Sequence, residues 1–173
     1  PFKIADSLYT RNRSSQYSRY QQNHLGNWLF ALFLTRKRAD GNYHFGYYER
    51  KHFKPKRKNH FNGQVYVLSG GNTFSASTLF IKSVGQQKNV VVVGEETGGG
   101  AYGNNAWLIP NVTLPVTKVR FRLPLYRLVI DKNETKGFGV QPGVEAPPTV
   151  EAIKKNLDFK MNKAVELIRS NRQ

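Results

Sequence analysis

Short apolar runs alternate with glycine-rich turns in the middle of the chain. Residues 65–68 are a run of β-forming residues that ends at the turn 69–71, and residues 90–93 are a second run that ends at Gly94. Between them, residues 75–84 carry apolar side chains at helical spacing, which predicts a helix. Two strands joined by a helix predict a right-handed βαβ unit with parallel strands, and hence an α/β fold.

The hydrophobic pattern outside this unit is weaker. Residues 1–25 are polar and predict a helical or irregular lead-in, whereas residues 28–34 are the densest apolar run and are expected to be buried. Alternation predicts a strand over residues 43–53 and a strand with a cationic outer face over residues 118–123, and residues 125–130 are expected to form a second strand paired with the latter. The remaining predicted elements are a short strand at residues 107–110 and helices at residues 150–155 and 158–169.

Positive charge is the strongest signal in the composition. The 173 residues contain 27 Lys and Arg against 11 Asp and Glu, a net charge of +16, and residues 1–60 hold thirteen of these cations and three of the acids. Aromatic side chains lie between the cations, a composition typical of single-strand nucleic-acid binding. A solvated or domain-facing surface gives the same pattern. Because no recognition motif accompanies it, we expect at most weak, non-specific binding to nucleic acid.

The composition also excludes several kinds of site. The chain has no cysteine, which excludes a disulfide framework, a thiolate metal site and a cysteine nucleophile. Residues 28–34 are too few to span a bilayer, so no membrane span is expected. We also expect no cofactor.

Two serines stand where the first predicted strand turns into the helix. A hydroxyl at this position lies at the exposed carboxyl end of a sheet, and the amides of the first helical turn point at whatever it attacks. Ser75 could therefore act as a nucleophile beside an oxyanion-stabilising donor. The alternative is that Ser75 and Ser77 only cap the helix, because serine is a common N-cap residue.

Three short motifs follow one another along the chain: Ser75-Ala76-Ser77, Gly94-Glu95-Glu96-Thr97-Gly98 and Gly139-Val140-Gln141-Pro142. In this order they resemble the tail-specific (C-terminal processing) serine proteases and their tricorn-like relatives. The first matches the segment that opens a helix with the nucleophile, and the second matches a strand that ends in Gly-Glu before a Thr-Gly loop. Gly139-Val140-Gln141-Pro142 resembles a closing Gly-Val-x-Pro-Asp signature, with Gly143 in place of the aspartate. The resemblance runs from about residue 61 to the C-terminus. It implies a mixed β-sheet with crossover helices of the crotonase/Clp-protease kind, present here as a partial domain.

The resemblance implies roles for individual residues. Ser75 would attack a peptide carbonyl, and the amide of Ala76 would hold the oxyanion. The loop that borders the substrate would consist of Thr97, Gly98, Gly99 and Gly100.

The general base is not assigned. Gly100 stands where the bacterial processing proteases have a lysine, so a Ser-Lys dyad is not expected. Glu134 resembles the glutamate that supports a histidine base in the tricorn-like branch, although it lies two residues out of register; the alternative is an exposed loop acid between Lys132 and Lys136. None of the four histidines matches a motif of the family; they are His24, His44, His52 and His60.

The sequence thus predicts a serine peptidase that acts on polypeptides. We expect residues 1–60 to be a basic, aromatic-rich lead-in of the same domain and residues 61–173 to be its nucleophile-bearing part. No glycine-rich turn that could carry the family's other oxyanion donor precedes Gly63, so we expect an upstream half of the catalytic domain to be missing and this chain to be inactive alone. The resemblance suggests an extracytoplasmic or periplasmic location. The alternative function is a non-catalytic module on the same fold that binds peptides, polysaccharide or nucleic acid.

Overall fold

The chain folds as two compact units. The computed structural model describes residues 2–14, 18–54, 58–59 and 61–171. The first unit consists of Pro1–Lys54 and Gly103–Asn133, and the second of Pro55–Tyr102 and Glu134–Gln173. The expected division at residue 60, into a lead-in and a nucleophile-bearing part of one domain, stays a prediction.

Twelve strands and five α-helices are found in the described ranges. The strands are β1 (Phe2–Lys3), β2 (Ser7–Thr10), β3 (Arg36–Lys37), β4 (Tyr43–His44), β5 (His52–Phe53), β6 (Val65–Ser69), β7 (Val90–Gly94), β8 (Gly103–Trp107), β9 (Asn111–Thr113), β10 (Arg120–Arg122), β11 (Tyr126–Val129) and β12 (Val144–Glu145). The helices are α1 (His24–Leu34), α2 (Gly46–Arg50), α3 (Ala76–Val84), α4 (Val150–Lys154) and α5 (Phe159–Ser170). In these ranges no helix is long and apolar enough to cross a bilayer.

The second unit contains the predicted βαβ arrangement. β6 and β7 pair in parallel with Val65 opposite Val90, α3 connects them, and β12 pairs in parallel with the other side of β7. A parallel strand in the centre of a sheet is covered on both faces, which explains the unbroken valine run of β7, where Val92 and Val93 are buried. The predicted strands, the crossover helix and the two C-terminal helices are confirmed.

The first unit contains a five-stranded antiparallel sheet in the order β3-β4-β2-β11-β8 and two two-stranded sheets, β1-β5 and β9-β10. β11 lies between β2 and β8, so the predicted pairing of residues 118–123 with residues 125–130 is wrong. β10 instead pairs with β9 as a hairpin, because the turn from Leu114 to Val119 is short enough to close on itself. The predicted strand at residues 107–110 is also misplaced, since β8 ends at Trp107.

Three further predictions about the first unit are wrong. Residues 1–25 include a true strand, β2, because its partners β11 and β4 lie far away in sequence. Residues 43–53 do not form one strand, because α2 interrupts them. Residues 28–34 belong to α1, but the prediction that this run is buried is wrong, since Trp28 is 41% exposed and Phe33 is 65% exposed.

A buried polar cluster explains why α2 interrupts the strand predicted over residues 43–53. Glu49 is only 5% exposed, and its Oε1 accepts a hydrogen bond from the amide of Leu8 (2.8 Å) and lies 2.7 Å from His44 Nδ1. His44 Nε2 faces Asp40 at 2.9 Å, while Arg38 forms an ion pair with the other oxygen of Glu49. A carboxylate is tolerated inside a protein only with such partners, so the helical turn carries Glu49 inward to meet them.

Removing the buried carboxylate should destabilise the first unit. Glu49→Ala leaves His44, Arg38 and the amide of Leu8 without their acceptor, which should lower the unfolding free energy by about 3 kcal/mol in urea titrations followed by circular dichroism. Glu166→Ala is the matched control, because Glu166 forms only an exposed pair with Lys163 and its loss should cost less than about 1 kcal/mol. Equal losses in the two variants would contradict the role of the cluster.

The stability of the protein at low pH should depend on the ionisation of Asp40. Hydrogen bonds from the side chain of Asn42, from His44 and from the backbone of Asn42 lower the pKa of Asp40 from 3.8 to about 2. The folded state therefore favours the carboxylate, and the stabilisation is complete above pH about 4 and is lost as pH falls towards 2. We expect the stability difference between the wild type and Asp40→Asn to shrink across this window. A difference that does not change with pH would contradict the prediction.

Candidate functional site

Ser75 adopts a backbone conformation that is rare outside glycine. It is the N-cap residue of α3, its φ is 53° and its ψ is −120°. This region is sterically hindered for residues with a Cβ, and such strain costs on the order of 1–3 kcal/mol. The turn directs the side chain outward, and Ser75 is exposed. Strained residues of this kind are found preferentially at functional sites.

The hydroxyl of Ser75 and the amide beside it are both available. Ser75 makes no side-chain capping bond, and within the described part of the chain no group bonds to its hydroxyl. The amide of Ala76, the first residue of α3, likewise has no acceptor among the described residues, whereas the amide of Ser77 donates to the carbonyl of Phe74 at 3.1 Å. The capping alternative for Ser75 is therefore wrong, because its side chain caps nothing.

The turn before Ser75 is organised around Thr73. Its hydroxyl accepts a hydrogen bond from the amide of Gly70 (3.2 Å), and its own amide donates to the carbonyl of Gly70 (2.8 Å). Its carbonyl accepts from the buried hydroxyl of Thr78 (3.0 Å) and from the amide of Gly99 (2.9 Å). One residue thus joins the turn, the first part of α3 and the glycine loop.

The three sequence motifs meet in space. The amide of Thr97 donates to the carbonyl of Val140 (3.1 Å), and the amide of Val140 donates to the hydroxyl of Thr97 (2.8 Å). Gly100 and Gly139 form an antiparallel bridge. The Gly-Val-x-Pro segment therefore holds the glycine loop from one side while Thr73 holds it from the other.

Close packing explains two glycines of the loop. A Cβ at Gly98 would overlap the carbonyl oxygen of Gly71 and the ring of Phe74, and a Cβ at Gly99 would overlap the hydroxyl of Thr78. The loop can approach the serine turn this closely only without side chains at these positions.

Two carboxylates flank the loop. Glu96 accepts a hydrogen bond from the amide of Gly139, and this bond, followed by that of Gln141, lowers the pKa of Glu96 below its usual value. Glu95 forms an ion pair with Lys160 of α5. Both residues of that pair line an open cleft at the carboxyl end of β6, together with residues 68–73. Ser75 is not among the residues that line this cleft.

Glu134 contacts none of the three histidines that the structure describes. Its carboxylate forms an ion pair with Lys82, and its side chain is 39% exposed. Lys82 follows Ser75 by seven residues, a separation of about 10 Å along a helix axis. The supporting role suggested for Glu134 stays a prediction, and its observed contact is structural.

The three described histidines have different surroundings. His44 has a carboxylate oxygen within hydrogen-bond distance of each ring nitrogen, Glu49 at 2.7 Å from Nδ1 and Asp40 at 2.9 Å from Nε2, so both nitrogens already have partners. His52 places Nδ1 at 3.0 Å from the carbonyl of Arg50. His24 begins α1. His60 lies outside the described residues, and no histidine follows it in the sequence.

Sequence reasoning missed Thr73, Phe74 and Glu96 as parts of the site. The bond between Thr73 and Gly99 depends on a contact across 26 residues, which no local pattern indicates. Glu96 stands inside the Gly-Glu-Glu-Thr-Gly motif, which was the one available signal. In the described ranges no cluster of three or more His, Cys, Asp or Glu could hold a metal ion.

The strained turn predicts an unusual order of stability between two variants. Ser75→Gly and Ser75→Ala both remove the hydroxyl, but only glycine relieves the strain at φ 53°. We expect Ser75→Gly to be more stable than Ser75→Ala by about 1 kcal/mol in urea unfolding. If alanine gave the more stable protein, as it does at ordinary helical positions, the strained conformation would be refuted.

The close approach of the loop predicts a second contrast. Gly99→Ala forces a Cβ against Thr78 and the backbone of Phe74, which should lower the unfolding free energy by about 2 kcal/mol. Gly71→Ala is the matched control, because a Cβ there meets nothing within 4 Å, and it should change stability by less than about 0.5 kcal/mol. Two equally mild variants would show that the loop does not pack on the turn.

Comparison with known proteins identifies the family. The sequence pattern of peptidase family S41 matches residues 6–146. A solved structure of a protein from Parabacteroides merdae, provisionally described as a peptidase, is 27% identical with a TM-score of 0.50; the match covers 65% of this chain and 34% of that one. The chain thus spans about a third of the length of that structure. A comparison with curated proteins found no match to this chain. On the family match, which covers most of its residues, the chain belongs to peptidase family S41.

Proposed function

We propose that this chain is the nucleophile-bearing part of a serine peptidase, with Ser75 as the nucleophile. The observation that carries the proposal is the strained, exposed N-cap position of Ser75 beside the unbonded amide of Ala76. A residue that only capped the helix would accept a hydrogen bond from the first turn and would need no strained backbone. Membership of a peptidase family supports a polypeptide as the substrate.

The proposed chemistry is acyl transfer. The hydroxyl oxygen of Ser75 attacks the carbonyl carbon of the scissile peptide bond, and its proton passes to a base that another part of the protein supplies. The Ala76 amide, at the positive end of α3, donates to the oxyanion of the tetrahedral intermediate. As the intermediate collapses, the base returns the proton to the leaving nitrogen, the amine product departs, and the acyl-serine that remains is hydrolysed by water, which restores the serine hydroxyl.

The glycine loop would form one wall of the substrate groove. The loop formed by Thr97, Gly98, Gly99 and Gly100 is held between the serine turn and the Gly-Val-x-Pro segment, and its two glycines that pack on the turn add no side chains there. An extended peptide could bind to such a surface through its backbone. Substrate contacts by these four residues are part of the proposal.

We also propose a finer fold class and mechanism for this site. A crotonase/Clp-like arrangement is supported by the parallel strands β6, β7 and β12 with their crossover helix. A tricorn-like Ser-His mechanism is favoured over a Ser-Lys dyad because Gly100 stands where the lysine would be. C-terminal processing and an extracytoplasmic location rest on the sequence resemblance alone.

The test uses a longer polypeptide that contains this chain and quenched fluorescent peptides as substrates. Ser75→Ala should lower the rate of cleavage by about 10⁴-fold or more, because the nucleophile cannot be replaced. Ser77→Ala is the matched control, two residues away and also exposed, and it should keep most of the activity. The chain of 173 residues alone should show no measurable cleavage. Full activity in Ser75→Ala would refute Ser75 as the nucleophile, whereas no cleavage by the unmutated longer polypeptide would favour a non-catalytic binding module.

A further inference from the structure

The hairpin of β9 and β10 ends in a closed, well-defined tip, residues 114–119. The amide of Leu114 donates to the carbonyl of Val119 (2.9 Å), and the amide of Lys118 donates to the carbonyl of Leu114 (3.1 Å). Lys118 has a φ of 58°, which allows the chain to turn back within these few residues. The tip is therefore a preformed structure and not an open loop.

Apolar side chains form the end of this tip. Val116 is 88% exposed, more than any other large hydrophobic residue that the structure describes, and Val119 is 54% exposed. Pro115 precedes Val116 and is exposed as well. Single exposed valines are common at protein surfaces, but a projecting apolar turn is not.

Cations lie directly behind the apolar end. Lys118, Arg120 and Arg122 are exposed, and none of them forms an ion pair with a described residue. No acid occurs in residues 97–130. The four acids of the first unit bond elsewhere: Asp6 to Lys3 and Lys132, Asp40 and Glu49 to His44, and Asp131 to Asn133.

An anionic bilayer fits this arrangement better than nucleic acid does. Cations at the level of the headgroups attract acidic lipids, while aliphatic side chains beyond them reach the acyl boundary. Nucleic acid would use the cations and could stack a base on Phe121, which is 38% exposed, but it would gain nothing from the proline and the valines that form the end of the tip. The apolar end of the tip and the three cations behind it can both make favourable contacts only at a lipid surface.

We propose that the tip of the β9–β10 hairpin docks on membranes that contain anionic phospholipids. Val116 and Val119 enter the interface, and Lys118, Arg120 and Arg122 contact the headgroups. This peripheral attachment would bring the peptidase to substrates at a membrane surface. It does not depend on the role of Ser75.

The absence of cysteine provides a direct test with the whole chain. Val116→Cys is labelled with an environment-sensitive fluorophore and mixed with vesicles of phosphatidylglycerol and phosphatidylcholine. We expect a blue shift with these vesicles and little change with phosphatidylcholine alone. Gln86→Cys, at an exposed position in the polar segment after α3, carries the same label as the control and should stay in water.

Charge variants separate this site from general attraction to a basic protein. Replacing Lys118, Arg120 and Arg122 by Gln should weaken vesicle binding on the order of 100-fold, about fivefold for each cation. Replacing the exposed Lys88, Lys154 and Lys155 by Gln removes the same charge and should weaken it by less than about threefold. Equal losses, an unshifted label on bound protein, or a blue shift produced by single-stranded RNA and not by vesicles would overturn the proposal.

Discussion

The hydrogen bond from the amide of Gly99 to the carbonyl of Thr73 joins the glycine loop to the serine turn, and the geometry of the candidate site depends on it. The same carbonyl accepts the buried hydroxyl of Thr78, so the first part of α3 is bound to the same point. A loop with side chains could not come close enough to form this bond. The glycines are therefore a packing requirement and not a sign of flexibility.

This fixed loop provides the support that a strained residue needs. Ser75 keeps a positive φ although glycine would fit better, which is possible only where surrounding contacts determine the backbone. Those contacts come from the parallel strands β6 and β7, whose carboxyl ends meet at this edge, and from the Gly-Val-x-Pro segment that bonds to Thr97. The three sequence motifs thus pack together at one site, which gives a physical reason for their occurring together.

The sequence predicted best where the determining contacts are local. The βαβ unit follows from apolar runs and glycine stops, and the position of Ser75 follows from that unit. The predictions from sequence failed where contacts between distant residues determine the local structure. Residues 43–53 include α2 because Glu49 bonds to Leu8 and His44. β11 pairs with β2 across more than 110 residues. The availability of the Ser75 hydroxyl could not be predicted either, because capping and nucleophilic serines share one pattern.

Mapping the site of a covalent inhibitor tests the central claim most directly. A longer polypeptide that contains this chain would be treated with a fluorophosphonate, digested, and sequenced by tandem mass spectrometry. The account predicts that the phosphonyl group is found on Ser75, since its hydroxyl is exposed beside the unbonded Ala76 amide. An adduct on Ser77 or on another serine, with Ser75 unmodified, would contradict it.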